Sequence, residues 1–157
     1  MTIKLLVPET LWRDTSTLMR QYARKRVEAG CFWYGLRNDN SSIAATIGIP
    51  RQKNRPGNFH VHADDLASLV TAACGQGLVT VAQLHLHPGE DVDHSPWDNG
   101  QIVSRKILSI VIPNYGAQPF SLSTLGVHIF EHDRWRRLSA HEAQEAVQVI
   151  RTVVDTR

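Results

Sequence analysis

The sequence predicts a mixed α/β fold, a mixed central β-sheet flanked by helices. Two observations carry that expectation. Stretches with apolar residues at helical spacing alternate along the chain with short β-branched runs. No internal repeat, low-complexity tract or Pro/Ser-rich linker breaks the alternation, so a single α/β domain over residues 1–157 is the economical assembly. At 157 residues and 42% hydrophobic content, the chain can bury a core without staples.

The elements follow in order. Ile3 to Val7 reads as a strand stopped by Pro8. Leu11, Thr15, Leu18, Met19 and Tyr22 recur at helical spacing, which predicts an amphipathic helix from Thr10 to about Arg26. Gly30 to Leu36 is an aromatic-rich strand, and Asn38-Asp39-Asn40 turns it into a second, Ile43 to Ile49. Phe32, Trp33 and Tyr34 alternate faces there and are expected to pack within the sheet. Arg51 to Asn58 is polar and contains Pro56-Gly57, so it reads as a loop, with a short extended piece at Phe59 to Val61. Leu66, Leu69, Val70 and Ala73 share one face of a second helix, stopped by Gly75 and Gly77. Leu78 to Leu84 is a buried strand, followed by a polar loop from Gly89 to His94. Ser95-Pro96-Trp97-Asp98 looks like a helix start, with a serine cap, proline at the first position and an acid at the third. Trp97 is expected in the core or stapling that helix, with stacking against substrate as the alternative. Ile107 to Ile112, Gly126 to Phe130 and Asp133 to Leu138 read as strands. Ser139-Ala140-His141-Glu142 is a second capping box, opening a C-terminal helix whose buried face carries Ala146, Val147, Ile150, Val153 and Val154.

Composition excludes several functions. The net charge is +2, and the basic residues are scattered apart from Arg24-Lys25-Arg26 and Arg136-Arg137, unlike the basic stripe of a nucleic-acid binder. No apolar run reaches membrane-spanning length, and the first residues lack the pattern of a signal peptide. A cytoplasmic protein is expected. Cys31 and Cys74 sit in apolar surroundings and read as two buried thiols, with one disulfide as the alternative; no Cys-x-x-Cys spacing supports a zinc knuckle.

The informative segment is His85-x-His87-Pro88 followed by Ser95 and Asp98, the pattern H-x-H-x7-S-x2-D. On a strand, residues i and i+2 share a face, so His85 and His87 project side by side. With the Asp98 carboxylate they make a three-ligand zinc site whose fourth position is open for water. Bland readings stand beside this one. His60-x-His62 repeats the doublet without a serine and carboxylate at comparable spacing, and is read as structural. Ser95-x-x-Asp98 is also an ordinary helix cap. A calcium loop beginning at Asp91 fails, because Pro96 stands where glycine is required and Ile102 where a bidentate glutamate belongs. Glu90, Asp91 and Asp93 read as a solvated loop or substrate contacts, and His94 is given no ligand role.

The whole pattern resembles the JAMM (JAB/MPN) zinc metalloprotease family, from about Thr10 to Ile112. The family adds an upstream glutamate in an E-x-G context entering a strand, and Glu28-Ala29-Gly30 occupies that place. The resemblance implies the JAB/MPN, cytidine deaminase-like fold and a Zn2+ cofactor held by His85, His87 and Asp98. It implies Glu28 as general base and acid, and Ser95 as donor to the oxyanion of the tetrahedral intermediate. It further implies hydrolysis of the isopeptide or peptide bond after the C-terminal glycine of a ubiquitin-like protein, by deconjugation or precursor processing. A sulfur-carrier protein is the alternative substrate, and a non-catalytic MPN-type scaffold the alternative function. Ubiquitin-activating and ubiquitin-conjugating homologues are the implied partners, and antiviral defence an implied setting. Cys31 replaces a glycine and His94 a proline common in the family, and neither change removes a functional group. The short Arg51–Asn58 segment points to a compact bacterial-type member rather than a eukaryotic ubiquitin clamp.

Overall fold

The computed structural model of the protein describes residues 3–100, 104 and 106–154. Ile102, the last position of the rejected calcium loop, lies outside them. The chain order is β1 (Lys4–Pro8), α1 (Glu9–Lys25), β2 (Gly30–Arg37), β3 (Ser41–Gly48), β4 (Gln52–Arg55), β5 (Asn58–Val61) and α2 (Ala63–Cys74). It continues with β6 (Val79–Leu86), α3 (Pro96–Gly100), β7 (Leu108–Ile112), a 3-10 turn (Asn114–Gly116), β8 (Gly126–Glu131), β9 (Arg134–Arg137), α4 (Ala140–Ala146) and β10 (Val147–Ile150). Eight strands form one mixed sheet in the order β10-β1-β3-β2-β6-β7-β8-β9, while β4 and β5 form a separate hairpin. The mixed α/β expectation holds.

Alternation along β2 sorts the two faces. Cys31 and Trp33 enter the larger core with Leu5, Val7, Leu84 and Leu86, against Met19 and Leu11 of α1 and Ala143 and Ala146 of α4. The Trp33 indole N–H donates to Thr15 Oγ1 at 2.9 Å, so the buried ring leaves no polar atom unpaired. Phe32 and Tyr34 point the other way, against Leu66, Leu69, Val70 and Ala73 of α2. The aromatic run is sheet packing, as its alternation predicts. Gly30 pairs with His85, and Phe32 with Gln83, across the antiparallel β2–β6 ladder. Gly30, His85 and His87 therefore share the α2 face, at the end of the sheet beyond the helix.

Three expectations are corrected. Arg51–Asn58 is not a loop. Gln52–Arg55 pairs with Asn58–Val61 in register Gln52↔Val61 through Arg55↔Asn58, with Pro56-Gly57 at the turn. The polar composition concealed a strand because most of its residues face solvent. The C-terminal helix ends at Ala146, where Val147 adopts φ −119° and ψ 116°. Val147 to Ile150 instead adds in parallel to β1, with Leu5 opposite Val147 and Val7 opposite Val149. The apolar spacing there suits a helix, but β-branched residues beside an unpaired strand edge gain more by extending the sheet. Val153 and Val154 are exposed. Cys74 is exposed at the end of α2, and only Cys31 is buried; both thiols are free.

Candidate metal centre and active site

The site is assembled from four places in the chain. Strand β6 delivers His85, which is buried, and His87 just beyond it. Asp98 arrives on α3, whose start is a reciprocal cap. Asp98 Oδ2 accepts from the Ser95 N–H at 2.7 Å and from the Ser95 hydroxyl at 2.6 Å, and the Asp98 N–H donates to Ser95 Oγ at 3.2 Å. The spacing seen in sequence thus fixes the rotamer of the carboxylate. Glu28 lies just before β2 and is buried.

The donor atoms converge. His85 Nε2 lies 3.2 Å from His87 Nε2 and 3.4 Å from Asp98 Oδ1, and His87 Nε2 lies 3.2 Å from Asp98 Oδ2. Ligands 2.0–2.1 Å from a tetrahedral metal must stand about 3.3 Å apart. The His85–His87 separation matches that edge, each imidazole meets one oxygen of the Asp98 carboxylate, and one donor atom from each residue lies within 4.8 Å of the others, so the residues can hold a metal ion; they form the one such group among the described residues. His87 Nδ1 lies 2.9 Å from the Asp91 carbonyl. In the neutral ring that bond places the proton on Nδ1 and leaves the Nε2 lone pair facing the site.

Electrostatics agree with a cation site. Burial opposes ionisation of Asp98, but hydrogen bonds from His85, His87 and Ser95 outweigh it and hold the carboxyl far below the usual range. Burial also opposes protonation of His87, yet its bonds to Asp98 and Asp91 raise its pKa. Burial pushes the Glu28 carboxyl up to about 7, against the opposing influence of His87. A buried carboxyl with raised proton affinity is a group that can accept a proton in general base chemistry.

One sequence expectation needs revision here. Trp97 is 54% exposed and is not a core residue. It joins Phe32, Phe59, Val61, Leu66 and Val70 in the wall of an apolar groove of about 480 Å3 that reaches His85 and Asp98. His60 and His62 are both exposed, stack edge-on with centroids 4.8 Å apart, and do not join the site. Glu90, Asp91 and Asp93 are exposed as expected, and Asp93 pairs with Arg137 at 3.1 Å. The sequence reading missed Gln52 and Asn54, whose amides hold the Glu28–Gly30 segment. The Pro56-Gly57 turn between the four-residue runs Gln52–Arg55 and Asn58–Val61 was the available signal.

Behind the ligands, Gln83, Ser109 and His128 form a polar row across β6, β7 and β8. Gln83 Nε2 donates to Ser109 Oγ at 3.0 Å, and His94 Nε2 meets the same oxygen at 2.9 Å. His94 stacks on His128 with centroids 4.1 Å apart. Burial first, then neighbouring histidines, push His94 down to about 3; burial pushes His128 down to about 4. Both rings are therefore neutral when folded, while an unfolded histidine titrates near 6.5. Their contribution to stability is full above about pH 6.5 and is lost as pH falls toward 4. Glu28 and His87, with raised pKa values, act in the opposite sense over part of that window. The test is therefore differential. Thermal melts of metal-free protein should show His128→Asn losing on the order of 1–2 kcal/mol less than wild type between pH 6.5 and 4.5. Parallel slopes for the two proteins would contradict it.

The fold and the ligand group define a class before any comparison: an α/β protein with a His/His/Asp metal centre beside a substrate-sized groove. A protein of Sinorhizobium fredii described as a probable metalloprotease is 29% identical over 116 residues, covering 70% of this chain and 71% of that one. Together the relative and the ligand group support a metal-dependent hydrolase. No family model matches the chain. The fold is similar to the solution structure of a Desulfitobacterium hafniense protein, with a TM-score of 0.68 and 14% identity over 94% of this chain and 92% of the other. A Salinibacter ruber protein gives a TM-score of 0.55 and 20% identity over 88% and 89%. Among the described residues, no helix is long and apolar enough to cross a membrane.

Proposed function

We propose that the protein is a JAMM-type zinc hydrolase of the compact JAB/MPN kind. In this reading it cleaves the isopeptide or peptide bond after the C-terminal glycine of a ubiquitin-like protein. The observation that carries the reading is the set of 3.2–3.4 Å separations among His85 Nε2, His87 Nε2 and the Asp98 carboxylate, with buried Glu28 close enough to feel the charges of His87 and Asp98. Two imidazoles and one carboxylate are a donor set suited to zinc with a position left open.

When bound, the metal supplies Lewis acidity and an activated water at neutral pH. The chain does the rest. Glu28 takes the proton of the attacking water and returns it to the leaving amine, acting as general base and then as general acid. Ser95 donates its hydroxyl to the developing oxyanion. That hydroxyl is directed at Asp98 Oδ2 in the structure, but the Ser95 backbone N–H reaches the same oxygen. The hydroxyl can therefore rotate toward substrate without leaving the carboxylate unpaired. The apolar groove excludes water from the approach to the scissile bond. Ubiquitin-activating and ubiquitin-conjugating homologues are the partners in this reading, in a cytoplasmic setting of bacterial antiviral defence.

Zinc-loaded protein should cleave fusions in which a ubiquitin-like protein ends in glycine before a reporter, and a chelator should stop it. Sulfur-carrier fusions form a second arm and decide the substrate class. Loss of cleavage in neither chelator nor Glu28→Gln would overturn the metal mechanism. Cleavage of no fusion by zinc-loaded protein would overturn the substrate assignment.

A further inference from the structure

The hairpin β4–β5 belongs to no other sheet, yet it holds the segment that carries Glu28. Both backbone polar groups of Glu28 are satisfied by it. The Glu28 N–H donates to the Arg55 carbonyl at 2.8 Å, and Asn54 Nδ2 donates to the Glu28 carbonyl at 2.8 Å. Gln52 then grips the next turn of chain with both ends of its amide. Its Oε1 accepts from the Gly30 N–H at 2.9 Å, and its Nε2 donates to the Gly30 carbonyl at 2.8 Å. Asn54 Nδ2 also donates to Gln52 Oε1 at 3.0 Å, so each amide orients the other. Phe59 lies over Gly30, where a Cβ would come within 2.6 Å of the ring. Glycine at that position lets the hairpin settle onto the strand.

The turn of the hairpin, next to Arg55, is fastened to the backbone of a metal-ligand candidate just beyond β6. The Tyr115 hydroxyl donates to the Pro56 carbonyl at 2.7 Å, while the Tyr115 N–H donates to the His87 carbonyl at 2.8 Å. Asn114 and Tyr115 both hold left-handed backbone, at φ 53° and 54°, a conformation asparagine tolerates but which is costly for a tyrosine. One tyrosine thus joins the hairpin that holds Glu28 to the backbone of His87. We propose that Gln52 and Asn54 are positioning residues for Glu28, and that Tyr115 is the latch that fixes their hairpin against the metal centre. Precision of this kind decides rates: a displacement of about 1 Å in a reacting group costs on the order of 100-fold. The catalytic consequence rests on the hydrolase reading proposed above. The mechanical claim does not.

Tyr115→Phe removes one hydroxyl with its hydrogen bond to Pro56, and Asn54→Ala one side-chain amide, and neither touches a metal ligand. Amide hydrogen exchange on metal-free protein is the first readout. Each variant should speed exchange at the Glu28 and Gly30 N–H groups roughly five- to tenfold, with Leu84 in the central sheet unchanged. Unchanged exchange at Glu28 and Gly30 in both variants overturns the latch, whatever the substrate. The second readout is cleavage of a fusion that the wild type accepts. Loss should fall on kcat, about 10-fold or more, with KM and zinc stoichiometry retained. A merely structural role would lower the folded, metal-binding fraction and leave kcat per bound zinc unchanged, and that result overturns the positioning role. If wild type cleaves no fusion, the substrate reading fails and exchange alone decides the latch.

Discussion

Glu28→Gln is expected to lower kcat at least about 100-fold while making the metal-free protein more stable at alkaline pH. The two effects share one cause. Glutamine keeps the shape of glutamate and the backbone bonds to Arg55 and Asn54, so the hairpin contact survives. What disappears is a buried carboxyl whose pKa is raised to about 7 from an ordinary 4.5. A group with a raised folded pKa contributes its full share of stability below the unfolded value. That share is lost as pH rises through the folded one. The wild type therefore carries a penalty at pH 8 that is absent at pH 4.5. The variant escapes it, by on the order of 1–2 kcal/mol after allowance for partial solvation. Melting curves of metal-free protein at pH 5 and pH 8 check this: the variant's advantage should open as pH rises. A destabilised variant at pH 8 would mean that the carboxylate is held by favourable contacts, and would remove the reason to regard Glu28 as a poised base. Lost activity with gained stability is the signature of a group kept for chemistry rather than packing.

Much of this site was legible because its parts lie close in sequence and obey short-range geometry. Period 2 put His85 and His87 on one face, and a serine–aspartate cap fixed Asp98 relative to Ser95. Neither inference needed the tertiary fold. The C-terminal strand was illegible for the opposite reason. Ala146, Val147, Ile150, Val153 and Val154 have helical spacing, and only the open edge of β1, more than a hundred residues away, makes Val147–Ile150 a strand. Trp97 was misplaced similarly, since nothing local shows that the wall it stands in is a groove rather than a core. The hairpin fell between these cases. Its turn was visible, but its task is to satisfy the backbone of Glu28, and a backbone partner leaves no mark on the side-chain pattern.

Asp98→Asn separates a ligand from a base. Asparagine retains one carbonyl oxygen for the cap with the Ser95 N–H, so α3 should still form. The negative charge between His85 and His87 is gone, and zinc affinity should fall at least about 100-fold, read by competition with a chromogenic chelator. Stability of the metal-free protein moves opposite to that of Glu28→Gln. The Asp98 carboxyl has a depressed pKa, so its contribution is present above the unfolded value of 3.8 and is lost only as pH falls below it. At pH 7 its removal should cost about 1–3 kcal/mol, because His85, His87 and the Ser95 hydroxyl each lose a charged acceptor. Ser95→Ala provides the contrast: the backbone N–H still orients Asp98, so zinc should bind while turnover falls about 100-fold. Unaltered zinc affinity in Asp98→Asn would remove the carboxylate from the metal centre. The same 3.2–3.4 Å geometry would then be only a buried ion pair between an aspartate and two histidines.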